Sequence, residues 1–269
     1  MGVYTKNVVC YGNELDFMKL FLKKLLATDN RLKLIIGTNN NTPVYASTES
    51  DIDDFVESEY YSNGSLRAYK PTFVIEVNGV FQARFVRNAN ASTAASKYDL
   101  TFVEPVTNET STTTSLMLLS TALGAAADRE RKLVFRVVTN SKLVYVHFGS
   151  YNVNLITNPT VAQRMAISDG DVSIYGKYNS TSKILKDCIV IINGAAQSCT
   201  MINRLAYNCD GNNDRKIESV HNKIFTSNDI CLASTDTIYD CSTITTIYGN
   251  IVISGNTYYA LDANTLVPL

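Results

Sequence analysis

Two histidines, six cysteines and 25 carboxylates are the groups on this 269-residue chain that could do chemistry. His147 lies in VYVHFG with apolar neighbours on both sides. It reads as a strand histidine held in a core, and not as a ligand or base. His221 follows Val220 near a turn and has no partner in the sequence. A three-ligand zinc site would need both histidines plus a carboxylate or cysteine from elsewhere, and neither HExxH nor a short Cys pair recommends one. The acidic run ESDIDDFVESE at 49–59 invites calcium. Counted from Asp51, an EF-hand loop needs Gly where Val56 stands and Glu where Ser62 stands. NCDGNND at 208–214 fails in the same way, with Asn213 and Ser219 at those positions. Both clusters read as Asx-rich turns, with a calcium site in an irregular loop as the alternative.

No GxxxxGK[ST], GxGxxG or GxSxG run occurs. Asp and Glu are present, but nothing in one sequence selects a pair for glycoside cleavage. No catalytic residue, cofactor-binding residue or metal ligand is therefore assigned, and the chain is expected not to be an enzyme. The cysteines are Cys10, Cys188, Cys199, Cys209, Cys231 and Cys241. No two form a CxxC, and the last five recur at strand-and-turn spacing rather than zinc spacing. They read as free thiols acting as small hydrophobes, with a disulfide or metal role as the alternative.

The net charge is −1 and charged residues make up 18% of the chain, below the usual quarter. The pI is about 6.1. The one dense basic cluster is Arg129, Arg131 and Lys132, interrupted by Glu130. It reads as solvated turn charge, so neither nucleic acid nor a membrane is expected as a partner. Residues 1–12 lack the pattern of a signal peptide. The apolar run at 116–127 is too short to span a bilayer, and Lys6 breaks the myristoylation pattern after Gly2.

Sixteen Tyr and no Trp accompany abundant Asn, Thr and Ser. These residues favour strands, turns and interfaces over long helices. Tyr60-Tyr61 and Tyr258-Tyr259 could stack on sugars. Neighbouring strand residues point to opposite faces, so only one of each pair can serve a given face, and packing is the preferred reading.

The elements that must position these groups are mostly strands. Residues 3–10 read as a strand. Residues 13–28 read as one amphipathic helix, with Leu15, Met18, Leu22, Leu25 and Leu26 at helical spacing and Phe17 and Phe21 beside them. Asn13 can cap it, Glu14 and Asp16 suit its start, and Lys23 and Lys24 suit its end. LKLIIGT at 32–38 is a strand broken by Asn39 to Pro43. TFVIEV and VFQARFVR flank Asn78-Gly79, the strongest short hairpin signal. Residues 98–105 form a further strand, stopped by Pro105, and 107–115 read as a loop. Residues 116–131 fit either a strand with a short helix or a single helix. KLVFRVVT and KLVYVHFG flank a second hairpin turn at Asn140-Ser141.

Asn158-Pro159 is the candidate boundary between an α+β domain at 1–158 and an all-β domain at 159–269. Beyond it come only short strands and turns, ending in a hairpin about Ser254-Gly255-Asn256 with a three-residue loop. The expected fold class is α+β, predominantly antiparallel β, sandwich or barrel-like, with one N-terminal amphipathic helix. The chain keeps Leu266, Val267 and Leu269 apolar near its last residue. Phe17, Phe21, Tyr258, Tyr259, Leu266 and Leu269 are accordingly the candidate interface residues.

The order of these pieces resembles a family. An N-terminal helix precedes LKLIIGTNNNTPVYAS, then PTFVIEVNGVFQARFVRN, then KLVFRVVTNSKLVYVHFGSYN. The chain closes with IYDCSTIT and ISGNTYYALDANTLVPL. This order is similar to structural proteins of the tail and baseplate region of phages, prophages and phage tail-like bacteriocins of Gram-positive bacteria. The resemblance implies a non-enzymatic virion subunit that acts by protein–protein assembly and needs no cofactor. Its partners would be other tail or baseplate proteins and copies of itself. Such a chain would be made in the host cytoplasm without a signal peptide and end in the tail region of the virion. The alternative is a receptor- or cell-wall-carbohydrate-binding module at the tail tip.

Overall fold

A computed structural model of the chain describes residues 2–62, 65–66, 71–88, 96–103, 105, 108, 110, 113–119, 128–141, 144–152, 164–168, 172–179, 184–192, 195–202, 217–218, 222–225, 231–235, 239–241, 249–253, 255–260 and 265–269. In chain order the elements begin with β1 (Gly2–Gly12), α1 (Glu14–Leu26), β2 (Leu32–Asn39), β3 (Thr42–Tyr45), α2 (Glu49–Tyr60), β4 (Tyr61–Ser62) and β5 (Ser65–Leu66). Next are β6 (Thr72–Val77), β7 (Phe81–Arg87), β8 (Lys97–Val103), β9 (Thr114–Met117), β10 (Arg129–Thr139) and β11 (Val144–Gly149). The remainder is β12 (Arg164–Ser168), β13 (Val172–Asn179), β14 (Ile184–Ile192), β15 (Ala195–Ile202), β16 (Ile217–Glu218), β17 (Asn222–Phe225), β18 (Cys231–Thr235), β19 (Tyr239–Cys241), β20 (Asn250–Ile253), β21 (Asn256–Ala260) and β22 (Thr265–Pro268).

The chain is therefore α+β and mostly antiparallel β. One sheet runs β3-β2-β6-β7-β8-β9 and a second runs β1-β10-β11-β12-β13-β14-β15. A third has the order β16-β19-β22-β21-β20, and β17-β18 and β4-β5 form separate pairs. The pairing of β11 with β12 carries the second sheet past position 158.

The amphipathic helix α1 follows the eleven-residue strand β1. One sequence expectation about helices needs correction: α1 is not the sole helix, because the acidic run read as Asx turns is α2. The reason is local. Thr48 accepts from the Asp51 N–H while the Asp51 carboxylate accepts from the Thr48 N–H, a reciprocal capping box. Ile52, Val56 and Tyr60 then recur at helical spacing and are buried. In α1, Asn13 Oδ1 accepts from the Asp16 N–H at 2.8 Å, as its sequence suggested.

The first two sheets turn apolar faces toward each other in a sandwich-like arrangement, and α1 joins them. Phe21 of α1 packs edge-on against Phe85 of β7 at 5.9 Å and Phe135 of β10 at 6.0 Å. Phe85 meets Phe148 of β11 at 5.2 Å across the same core. Sequence alternation decides which residues enter it. Phe73, Ile75 and Val77 of β6 and Leu133, Phe135 and Val137 of β10 are buried there, each two residues from the next.

The turn at Asn78-Gly79 forms as expected. Asn78 and Gly79 have φ of 55° and 69°, and the Val80 N–H donates to Val77 O at 3.1 Å. Two consecutive positive φ values are the type I′ geometry that Asn-Gly favours. The second hairpin pairs Thr139 with Val144, so Asn140 and Ser141 open a four-residue connection. Arg31 ties the two turns together: its carbonyl accepts from the Asn78 N–H, and its guanidinium donates to Asn140 O at 2.8 Å. The C-terminal hairpin pairs Ile253 with Asn256, so its loop has two residues, 254 and 255, and not three. Pro43 lies inside β3 rather than in a break, at the edge of its sheet where its missing N–H is harmless. Within 107–115, read as loop, Thr110 bridges to Val103, and Thr114 and Ser115 belong to β9. Positions 120–127, the NCDGNND cluster, His221 and Cys209 lie outside the described residues.

Candidate functional site

Among the described residues the densest set of reactive side chains is interior, and it gathers where α1 begins. Glu14 occupies the first turn of α1, on the same face as Met18, Phe21 and Leu25, and is fully buried. Its Oε1 accepts from Arg87 Nε at 2.9 Å and from the Tyr60 hydroxyl at 3.2 Å. Its Oε2 accepts from the Ser96 hydroxyl at 2.5 Å. The Tyr60 and Tyr98 hydroxyls hydrogen-bond each other. Arg131, also fully buried, donates from Nη1 to the Gly12 carbonyl.

This arrangement binds elements together and offers little to a substrate. Burial first, and the Glu14 charge second, push both tyrosine hydroxyls well above their usual pKa, so neither supplies a tyrosinate base. Burial lowers the Arg131 pKa. Burial also acts to lower that of Arg87, but the Glu14 charge and hydrogen bond outweigh it and the net shift is upward. Three donors and the positive end of a helix converge on this one carboxylate, so its oxygens are satisfied inside the core. The Glu14 carboxylate joins α1 to the end of α2, to β7 and to Ser96 just before β8, while Arg131 ties β10 to the Gly12 carbonyl at the end of β1.

Sequence reasoning placed Arg131 in a solvated turn, and that is corrected here. Arg131 shares the parity of Leu133, Phe135 and Val137, so the period of β10 turns it inward. Glu14 sits on the apolar stripe of α1 in the same way. Both signals were present in the spacing and were masked by residue type.

A second polar set lies on the opposite face of β10 and β11, where β10 from Leu133 onward and the whole of β11 are buried on both faces. Arg136 and His147 are direct cross-strand partners. Arg136 Nε donates to the Thr5 hydroxyl at 3.1 Å, and the Tyr145 hydroxyl lies 3.2 Å from His147 Nδ1. Tyr259 of β21 hydrogen-bonds Thr5, which places the C-terminal hairpin over this face. Burial first, then the nearby Arg136 charge, push the His147 pKa down to about 3. His147 is thus the buried strand histidine its sequence suggested.

A groove of about 530 Å³ lies among Lys23, Lys33, Tyr45, Thr48 and Ile52. Its charges are engaged within the chain. Lys23 pairs with Asp53 at 2.7 Å and Glu49 at 3.6 Å, Lys33 sits 5.0 Å over the Tyr45 ring, and the Tyr45 hydroxyl donates to Glu76 at 2.7 Å. Among the described residues no three His, Cys, Asp or Glu side chains gather as metal ligands, and no helix is long and apolar enough to cross a membrane. Cys10 is a half-buried free thiol whose pKa is raised, by burial first and then by Asp16.

The candidate interface residues separate. Phe17 and Phe21 are corrected: both are fully enclosed in the chain's own core and present nothing to a partner. The stripe on α1 is covered by the two sheets, which removes the need for a neighbour. Tyr259 is buried, while Tyr258 and Leu269 are half-buried. Leu266 pairs with Tyr239 and Ala260 through its backbone. The apolar side chains that do face solvent include Tyr11 at 76%, Val252 at 67% and Val9 at 45% exposure. A scan against protein-family models, a search of curated proteins and a search of solved structures each returned no match.

Proposed function

We propose that this chain is a non-enzymatic structural subunit of a phage tail or baseplate, acting by protein–protein assembly. The observation that carries the reading is β1. It is the end strand of a seven-stranded sheet, and its outer edge pairs with no described strand. Near its end Val9 and Tyr11 share the outer face of the sheet, exposed, where Lys132 and Glu130 are their partners in β10. An eleven-residue edge with exposed apolar side chains is a template for pairing or packing with another chain unless it is defended. Lys6 and Asn7 defend only its middle. The interior placement of Glu14, Arg131 and His147 also supports a scaffold over a catalyst. The resemblance in element order supplies the particle, and made in the host cytoplasm, the subunit would reside in the tail region of the virion. Its partners would be other tail proteins and copies of itself.

Purified particles provide the test. The full-length chain should co-purify with tail or tail-like particles, and Tyr11→Glu with Val9→Lys should abolish incorporation without lowering the melting temperature. A chain found only as free monomer and absent from particles would defeat the proposal. The exposed Tyr11 ring, which could stack on a sugar, favours the second reading, a receptor- or carbohydrate-binding module. Binding of the isolated chain to host cell wall, lost in Tyr11→Ala, would select that reading.

A further inference from the structure

Strands β14 and β15 bring two cysteines into register: Cys188 and Cys199 are direct cross-strand partners. Among the described strands this is the one cysteine–cysteine pairing; Cys10 faces Arg131, Cys231 faces Phe225 and Cys241 faces Ile217. Ile192 pairs with Ala195, so the connection has two residues and its closing pair exchanges both backbone hydrogen bonds. Hydrogen-bonded and non-hydrogen-bonded pairs alternate along an antiparallel ladder. Four residues further on, Cys188 and Cys199 form another hydrogen-bonded pair, with Cα atoms about 5.5 Å apart. A disulfide requires a Cα separation of about 4.4–6.8 Å, most often near 5.5–6 Å. Directly opposite residues also share one face of the sheet.

Cβ atoms of opposite residues stand about 4.5–5.5 Å apart, whereas a disulfide draws them to about 3.5–4.5 Å. A backbone able to give slightly is therefore needed. The β13–β14 ladder supplies that place, because its register shifts between the pairs Tyr175–Ile189 and Lys177–Lys186. Asp187 and Cys188 lie opposite Gly176 alone, and a bulge of this kind bends and twists its strand locally.

We propose that Cys188 and Cys199 are a reversible dithiol–disulfide modification site. The oxidant is a small-molecule disulfide such as oxidised glutathione. The Cys188 thiolate attacks one glutathione sulfur, the glutathione S–S bond breaks, and one glutathione thiolate leaves. The Cys199 thiolate then attacks the Cys188 sulfur, breaks the mixed disulfide and releases the second glutathione. Two electrons pass from the protein pair to the oxidant, and the two thiol protons end on the two glutathione thiols. A bond that tightens its ladder is more readily reduced than a relaxed one, so a dithiol reductant returns both thiols. This chemistry does not depend on assembly into a particle.

The experiment uses the full folded chain, oxidised glutathione, an alkylating quench and tryptic mass spectrometry. Lys186 and Arg204 bound one peptide, 187–204, that contains both cysteines and no other cleavage site. The expected product is this peptide unalkylated, about 2 Da lighter than its dithiol form, and restored by dithiothreitol. The folded chain should form it at least about tenfold more readily than the chain in urea, since the ladder holds the pair in place. Doubly alkylated peptide, glutathione retained on either cysteine, a link from either to Cys209, Cys231 or Cys241, or equal yield in urea would each overturn the proposal. In Cys199→Ser, Cys188 should remain alkylatable or carry glutathione, with no internal link.

Discussion

Acidification from pH 7 to pH 5 should destabilise this protein through His147. The ring is fully buried on β11 with Arg136 as its cross-strand partner, so a proton there loses hydration and meets a like charge. Its folded pKa is about 3, against about 6.5 for an unfolded histidine. The folded value lies below the unfolded one, so the stabilisation is complete above pH 6.5 and is lost as pH falls toward 3. At pH 5 the unfolded chain has taken up the proton and the folded chain has not, which shifts the equilibrium by about 2 kcal/mol. Urea unfolding at pH 7, 6 and 5 measures the loss. His147→Asn removes the titration, so its stability should change less over the same interval, by that same amount of about 2 kcal/mol. All other ionisable groups are common to both proteins and cancel in the comparison. Equal slopes for wild type and variant, within about 0.5 kcal/mol, would refute the buried, neutral state of His147.

Glu14→Gln keeps the shape of the interior cluster and removes the charge opposite Arg87 and near Arg131. Stability should fall by about 3–5 kcal/mol, the usual result of leaving a buried charge uncompensated, and a loss below about 1 kcal/mol in urea unfolding would show the pair to be dispensable. Phe21→Ala opens a cavity where α1 meets both sheets, so it should lower folding stability by about 3–5 kcal/mol; normal folding with impaired assembly would return Phe21 to an interface. Gly79→Ala meets no neighbouring atom but must hold φ at 69°, so thermal unfolding should register about 1–2 kcal/mol of backbone strain.

Features whose cause is local could be read from the residues. The helix that became α1, the Asn78-Gly79 turn and the alternating strands of the first hairpin depend on spacing, capping and turn chemistry within a few residues. The burial of His147 was legible because both its neighbours are apolar. The helix α2 was legible too, since Thr48 and Asp51 announce a capping box, but its carboxylates drew attention to calcium instead. What spacing within one element cannot contain is the identity of the surface opposite it. The apolar stripe of α1 was compatible with a partner subunit or with the chain's own sheets, and only the meeting of Phe21 with Phe85 and Phe135 decided for the latter. Glu14 and Arg131 are charged residues at apolar positions, and a lone charge there is costly. The cost falls only when Arg87, Ser96, Tyr60 and the Gly12 carbonyl converge from distant segments to solvate it. The same holds for Cys188 and Cys199, whose strands any sequence pattern could suggest. Their opposition depends on a register set by the pairing of two whole strands, because one residue of slip would move either cysteine to the other face.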